Sequence, residues 1–502
     1  MIALSVLLFL GIISIHYYFN KNELLSRVYF LALFIKLFCG FFLYQLHLSF
    51  GILPDLIFYK QDIVLLSDYF WSDTLGYLNF LFTGKLNPTW NYIFATEGER
   101  AFFFVRYLSF MNLLAAKNMY LTSLYSSLMA FFGLWACSNR LASWFIREND
   151  SANKIKKVKL ALSIGFFFTP SVAFWASSMM KESFLWFIIG FLIAFFLDSL
   201  KYFEKKNYRI IGEDTNNGEV EQIKTLPLLV SSSTTKLINF KLIGIVLKIV
   251  SLSILIVTLF LLKYYYFALL VPLLIAFGIS FFTKTYFNKS VCFQLTLFLG
   301  SFIFIVALAS TLHPNLWFSR LSEAIFTNQQ NILATSEPDS QINFVYAYDF
   351  EPTYHNYSQD ENGNGEYKSF PTFFQLFEQS PKALVAGLFF PLEIDFSTLD
   401  FSNSSTSEFN FYRFASVIEN WIILFFFIHT VSIKKLFYQV RSLFLLNQQK
   451  DNQFIVLWLV GIIFCVGMAT LLALSAPNLG ALVRYKIGFL PFFIFGIVMR
   501  LD

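Results

Sequence analysis

Apolar runs of 18 or more residues recur along this chain, beginning with Met1 to Phe19, and no other feature of the sequence limits its fold so tightly. A helix of about 20 residues, rising 1.5 Å per residue, crosses the roughly 30 Å hydrocarbon layer of a bilayer. Backbone N–H and C=O groups find no water there, so spanning segments are helices or closed barrels. Barrel strands would give short alternating segments, not continuous runs. Helical spans are therefore expected. The charge content agrees: 14% of the 502 residues are charged, against about 25% in an ordinary soluble domain. A cytosolic enzyme, a disordered chain and a secreted disulfide scaffold are excluded.

The first run has no basic leader and no small-residue cleavage site, so it reads as a retained span. Further spans are expected near residues 28–48, 118–137, 160–178, 183–200, 243–262, 266–283, 291–312, 417–433, 453–475 and 483–499. The expected architecture is all-α: a polytopic integral membrane helical bundle of about eleven transmembrane helices. It forms a single membrane domain over residues 1–502. Cys39, Cys137, Cys292 and Cys465 all lie in apolar stretches without a close partner and read as small buried hydrophobes.

Alternate loops differ in charge. Lys and Arg gather at 21–27, 140–159, 201–241, 284–289 and 434–450. The positive-inside rule makes that side cytoplasmic, with the amino terminus outside and the carboxyl terminus inside. The cytoplasmic segment 201–241 includes a polar acidic stretch at 213–219 and reads as a flexible linker. On the other side lie a first extracytoplasmic loop, 49–117, and a second, 313–416, both with more acid than base and both expected to hold short amphipathic helices.

The first loop interleaves Asp55, Asp62, Asp68 and Asp73 with aromatic residues. That pattern suits a site at the membrane–water boundary, and equally an interfacial segment whose acids are solvated. Asp73 and Tyr77 stand four apart and share a face if helical. Arg100 and Arg106 fall on an amphipathic run at the outer interface, where a guanidinium fork suits phosphate oxygens and a snorkelling anchor is the plainer role. The second loop is rich in tyrosine and asparagine, a surface suited to sugars, and its stretch Asp360 to Glu366 only superficially resembles a calcium loop. Five scattered histidines give no metal pattern.

Charges inside spans need partners or water. Lys36 lies nine residues beyond Arg27, about 13 Å deep on the helical rise, and points to an internal partner. Lys181-Glu182 tips a tight outer hairpin, with Glu182 favourably near a helix start. Glu419-Asn420 opens the span after the second loop. Arg484 and Lys486 stand on the outer side against the charge bias, as interface anchors or as binders of an anion.

Taken in order, Asp73-Thr-Leu-Gly-Tyr77, Pro170-Ser171 with Phe174-Trp175, Ser178 and Lys181-Glu182, then Pro381 through Pro391, Glu419-Asn420 and Arg484-Tyr485 resemble a family. It is that of polytopic proteins of bacterial polysaccharide clusters, similar to GT-C-type glycosyltransferases and O-antigen polymerases. The resemblance implies transfer of a sugar or oligosaccharide from a polyprenyl phosphate or pyrophosphate carrier at the outer face of the bacterial inner membrane. It implies an essential acid in the first extracytoplasmic loop, a place that Asp73 matches. The paired acid of the protein mannosyltransferase branch is absent, since Thr74 follows. O-antigen polymerases rely on outer-loop arginines, for which Arg320, Arg413 and Arg484 are available.

The expected function is thus a membrane glycosyltransferase for cell-surface polysaccharide or glycoconjugate synthesis, with Asp73 as the catalytic base. Arg106, Lys181, Glu182, Arg413, Arg484, Lys486 and Tyr77 form the expected substrate- and phosphate-binding set. No metal ligands are predicted, and a divalent metal stays open. Expected partners are membrane lipid, a polyprenyl-phosphate-linked glycan and an acceptor glycan, lipid or protein, without nucleic acid. The alternative is a repeat-unit polymerase, and the third reading is a transporter of lipid-linked glycan.

Overall fold

A computed structural model describes residues 1–50, 54–85, 87, 90, 94–96, 99–147, 150–215, 232–287, 290–312, 322–323, 325–327, 354–359, 365–370, 373–392, 404–430, 452–475 and 479–500. The helices are α1 (Ile2–Asn20), α2 (Tyr29–Phe50), α3 (Pro54–Ser72), α4 (Thr74–Thr83), α5 (Glu99–Leu114), α6 (Met119–Phe145), α7 (Ala152–Ser163), α8 (Pro170–Trp175), α9 (Lys181–Thr215), α10 (Ser232–Leu262), α11 (Tyr264–Phe287) and α12 (Val291–Leu312). After a hairpin of β1 (Tyr354–Gln359) and β2 (Gly365–Phe370) come α13 (Phe373–Phe389), α14 (Ser404–Thr430), α15 (Asn452–Ser475), α16 (Leu479–Tyr485) and α17 (Leu490–Arg500).

The molecule is a polytopic helical membrane protein. Among the described residues seven helices are long and apolar enough to cross a bilayer, or eight if the bent pair α16–α17 counts as one span. Shorter apolar stretches, Leu247–Leu262 and Phe414–Thr430, fall where two further spans were expected. The described residues of the second loop include α13, whose Leu376, Ala383 and Ala386 are buried while Phe374 and Phe377 are exposed. The hairpin was not expected. Its strands pair antiparallel from Tyr354 opposite Phe370 to Gln359 opposite Gly365. Residues 360–364, most of the stretch with the superficial likeness to a calcium loop, and the linker core at 216–231 lie outside the described residues.

Two expected spans are broken. Segment 160–178 is not one helix: α7 passes into a π-helical turn, Ile164–Phe168, and then into the six-residue α8. Pro170 has no N–H to continue the ladder and biases Thr169 out of helical geometry, so the chain restarts there. Both the N–H and the hydroxyl of Thr169 donate back to the Ile164 carbonyl, at 2.9 and 2.8 Å. At the carboxyl-terminal end, α16 and α17 meet at 68° across a short 3₁₀ turn, Lys486–Gly488. Such a break frees carbonyls that must find donors inside the protein. They do: Tyr266 Oη donates to Tyr485 O at 2.8 Å, and Trp186 Nε1 donates to Ile487 O at 3.1 Å.

The centre of the bundle is the crossing of α6 and α9, with α2 packed on α6 and α11 and α10 on α9. Small residues let these backbones approach. A side chain on Gly190 would meet Gly133 O at 2.1 Å, and one on Gly40 would meet Ser127 Oγ at 2.0 Å. Buried hydroxyls lace the same seam: Ser123 Oγ donates to Gly40 O at 2.8 Å, and Ser178 N donates to Ser127 Oγ at 2.8 Å. The charged Lys36 has an internal partner, as its depth demanded. It is 3% exposed and donates to the carbonyls of Val172 and Ala173 at 3.0 and 3.4 Å, holding α8 against α2.

Candidate functional site

The chain turns tightly between α8 and α9, with Ser178 at φ +61°. Ser177 Oγ bonds Ala173 O at 2.6 Å and Ser183 Oγ bonds Met180 O at 2.7 Å, which fixes the turn from both sides. Lys181 and Glu182 therefore leave the turn at the first residues of α9. The break between α10 and α11 places Lys263 at the same end of the bundle. The bent end of α16 brings Arg484 and Tyr485 there, and α3 and α5 of the first loop close over the side.

These elements enclose a cavity of about 160 Å³, lined by four cations, Arg100, Lys181, Lys263 and Arg484, one carboxylate, Glu182, and the rings of Tyr59, Tyr265 and Tyr485. Glu182 is 2% exposed and Lys263 is 5% exposed. Lys263 Nζ donates to Glu182 Oε1 at 2.7 Å, and Arg484 Nε stands 3.8 Å from the same oxygen. Backbone polarity reinforces the pair, since Glu182 sits at the amino end of α9 and Lys263 just past the carboxyl end of α10. The cations also stack on rings. Lys263 lies 4.2 Å from the Tyr485 centroid, Arg484 lies 5.1 Å from it, and Lys181 lies 5.5 Å from that of Tyr59. Arg100 lies 4.2 Å over Tyr264. Even with Glu182 ionised, the lining keeps an excess of positive charge. Four convergent cations flanked by aromatic rings are able to hold an anion that carries an apolar group.

Three expected site residues, Lys181, Glu182 and Arg484, come together in this cavity. Lys486 does not line it. It is fully buried, donates to Asn420 Oδ1, and lies beside Glu419, whose Oε2 accepts from the N–H and the hydroxyl of Ser171, both at 2.8 Å. Asp73 is the N-cap of α4: its Oδ1 accepts from Gly76 N at 2.8 Å, while Tyr69 Oη and Asn87 Nδ2 each stand 3.4 Å from Oδ2. Tyr77 is buried and shares a 2.9 Å hydrogen bond with Ser109. Arg106 serves the other end of α4, donating to Leu81 O at 3.3 Å, and partial burial draws its guanidinium below its ordinary pKa. Asp62 is fully buried and clamps the first loop by accepting from Ala95 N and Thr96 N at 2.9 and 2.8 Å. The backbone of Arg413 lies on α14, and Arg320 lies outside the described residues.

The sequence reading missed Lys263 and Tyr265. Its available signal was a lone lysine between two apolar runs, followed by Tyr264-Tyr265-Tyr266, in a turn assigned to the poorly basic outer side. Among the described residues no three of His, Cys, Asp or Glu converge so as to hold a metal ion. Comparison with protein families, curated proteins and solved structures finds no match.

Proposed function

We propose that the protein is a transferase of lipid-linked glycans in the bacterial inner membrane, taking a sugar or oligosaccharide from a polyprenyl phosphate or diphosphate carrier. Its amino terminus then faces outward and its carboxyl terminus the cytoplasm. The observation that carries this reading is the cavity where Arg100, Lys181, Lys263 and Arg484 converge with three tyrosines at the end of the bundle that holds the first loop. A departing phosphate develops negative charge as its bond to the anomeric carbon breaks, and preorganised cations lower that barrier. The rings beside them offer faces to a sugar or a prenyl chain. Partners are the lipid carrier and an acceptor glycan, lipid or protein.

The repeat-unit polymerase is the second reading, favoured by Asp73 serving as a helix cap and not as a lining residue. Both readings use the same cations. A deletion strain complemented with Arg484→Ala is expected to lose the mature surface glycan on mass spectrometry, and one complemented with Asp73→Asn to keep it. Loss of polymer with single repeat units still present assigns the polymerase; loss of all units containing one sugar assigns a single-step transferase. An unchanged glycan in the deletion strain itself would overturn both.

A further inference from the structure

The lone carboxylate of the cavity is committed to the very cations that an anionic substrate would seek. Glu182 Oε1 accepts from Lys263 at 2.7 Å and lies 3.8 Å from Arg484 Nε. We infer that Glu182 is an internal stand-in for the substrate's phosphate, and that substrate binding converts it into the proton acceptor of the reaction. This rests on the glycan-transfer reading above.

The chemistry follows from exchange of partners. A phosphate entering the cavity offers Lys263 and Arg484 more negative charge than one carboxylate does, with oxygens matched to a guanidinium fork. As those cations turn to the phosphate, Glu182 loses its counter-charges while remaining in the cavity. A buried carboxylate without a partner is costly, and gaining a proton removes the cost. The acceptor supplies it: its hydroxyl oxygen forms the new bond to the anomeric carbon, the anomeric C–O bond to phosphate breaks, the phosphate keeps that electron pair, and the hydroxyl proton passes to Glu182. Base and leaving-group cations are then two halves of one ion-pair cluster, uncoupled only when substrate is present. An empty site has no idle base, which limits wasteful hydrolysis.

No other cavity-lining residue among those described is a carboxylate. Asp62 and Asp73 are held by backbone N–H groups, and Glu419 is held by Ser171 outside the lining.

The test uses the full-length protein in nanodiscs, with farnesyl diphosphate as the binding probe, together with complementation of the deletion strain. Glu182→Gln is expected to bind the probe as tightly as wild type or several-fold more tightly, because a competing anion is gone. In cells it is expected to lose the mature glycan, with the initial rate of glycan formation down about 100-fold or more, the usual scale of general-base loss. Arg484→Ala is expected to lose probe binding. If Glu182→Gln does not fold, Glu182→Gln with Lys263→Met removes the stranded cation and is judged by its glycan: normal output refutes the assignment. Glycan output from Glu182→Gln near the wild-type level overturns the inference, as does loss of probe binding together with output in a folded Glu182→Gln protein, which marks a purely structural pair. Failure of the wild type to bind the probe overturns the underlying reading instead.

Discussion

Glu182 and Lys263 meet across 2.7 Å with side chains 2% and 6% exposed, so each neutralises a charge that water scarcely reaches and lipid would not solvate. Removing one partner of such a pair strands the other, at a cost of about 3–5 kcal/mol, whereas replacing both with apolar or neutral groups of similar size is often near neutral. Lys263→Ala is therefore expected to lower the melting temperature in detergent clearly, and Lys263→Met combined with Glu182→Gln to recover most of it. Equal losses in the single and double variants would contradict this. Residue by residue, the sequence was legible where a charge had to be explained. Lys36 needed an internal partner and found two carbonyls of α8. Arg484 and Lys486 stood out against the outer-side charge pattern; Arg484 lines the cavity, beside the Glu182 singled out at a helix start, and Lys486 is buried away from it. Asp73 was ambiguous for a physical reason. An acid preceding Thr-Leu-Gly is as good an N-cap as a catalytic base, and the 2.8 Å bond from Gly76 N shows that its Oδ1 meets the capping demand.

The elements show a different limit. Apolar length located the straight spans, because hydropathy measures only how much chain lipid will accept. It is blind to where a span breaks. Pro170 lies at one break, and Pro491, which has no N–H for the Ile487 carbonyl, lies beside the other, the 68° bend between α16 and α17. That bend rests on donors from distant helices, Tyr266 and Trp186, filling the freed carbonyls. Nor does hydropathy show which glycines mark helix crossings. A Cβ on Gly190 would fall 2.1 Å from the backbone oxygen of Gly133, an atom no rotamer change can move, while Gly300 has nothing within 4 Å. Close backbone approach is how membrane helices gain packing without a hydrophobic drive between them. Gly190→Ala is thus expected to destabilise by about 1–3 kcal/mol or more through overpacking of α6 against α9. Gly300→Ala is expected to change stability little, or to raise it slightly through helix propensity. Thermal melts of the two variants side by side decide this, and matching behaviour would refute the assigned crossing.

For the molecule as a whole, the cation-lined cavity and the basic loops lie at opposite ends of the spans. Lys181, Lys263 and Arg484 open onto the end that holds the first loop. At the far end Arg140 ties two elements together, bonding Glu23 Oε1 and Asp198 Oδ2 at 2.9 Å each. That separation turns the charge rule into a functional statement. If the basic end is cytoplasmic, the cavity meets substrate on the outer face, where lipid-linked glycans are joined under the proposed function. If the orientation is reversed, the cavity faces the cytoplasm and a nucleotide-sugar donor becomes the natural anion. The chain carries its own reporter of this choice. Cys292 is exposed at the start of α12, next to the basic segment 284–289, whereas Cys137 and Cys465 are buried and Cys39 is half-buried. A membrane-impermeant maleimide applied to intact cells is expected to leave Cys292 unmodified and to label it once the membrane is permeabilised. The exposed Lys85, on the first loop, gives the complementary site. Lys85→Cys is expected to label in intact cells. Labelling of Cys292 from outside, with Lys85→Cys protected, would place the cavity on the cytoplasmic face and remove the polyprenyl-linked donor from consideration.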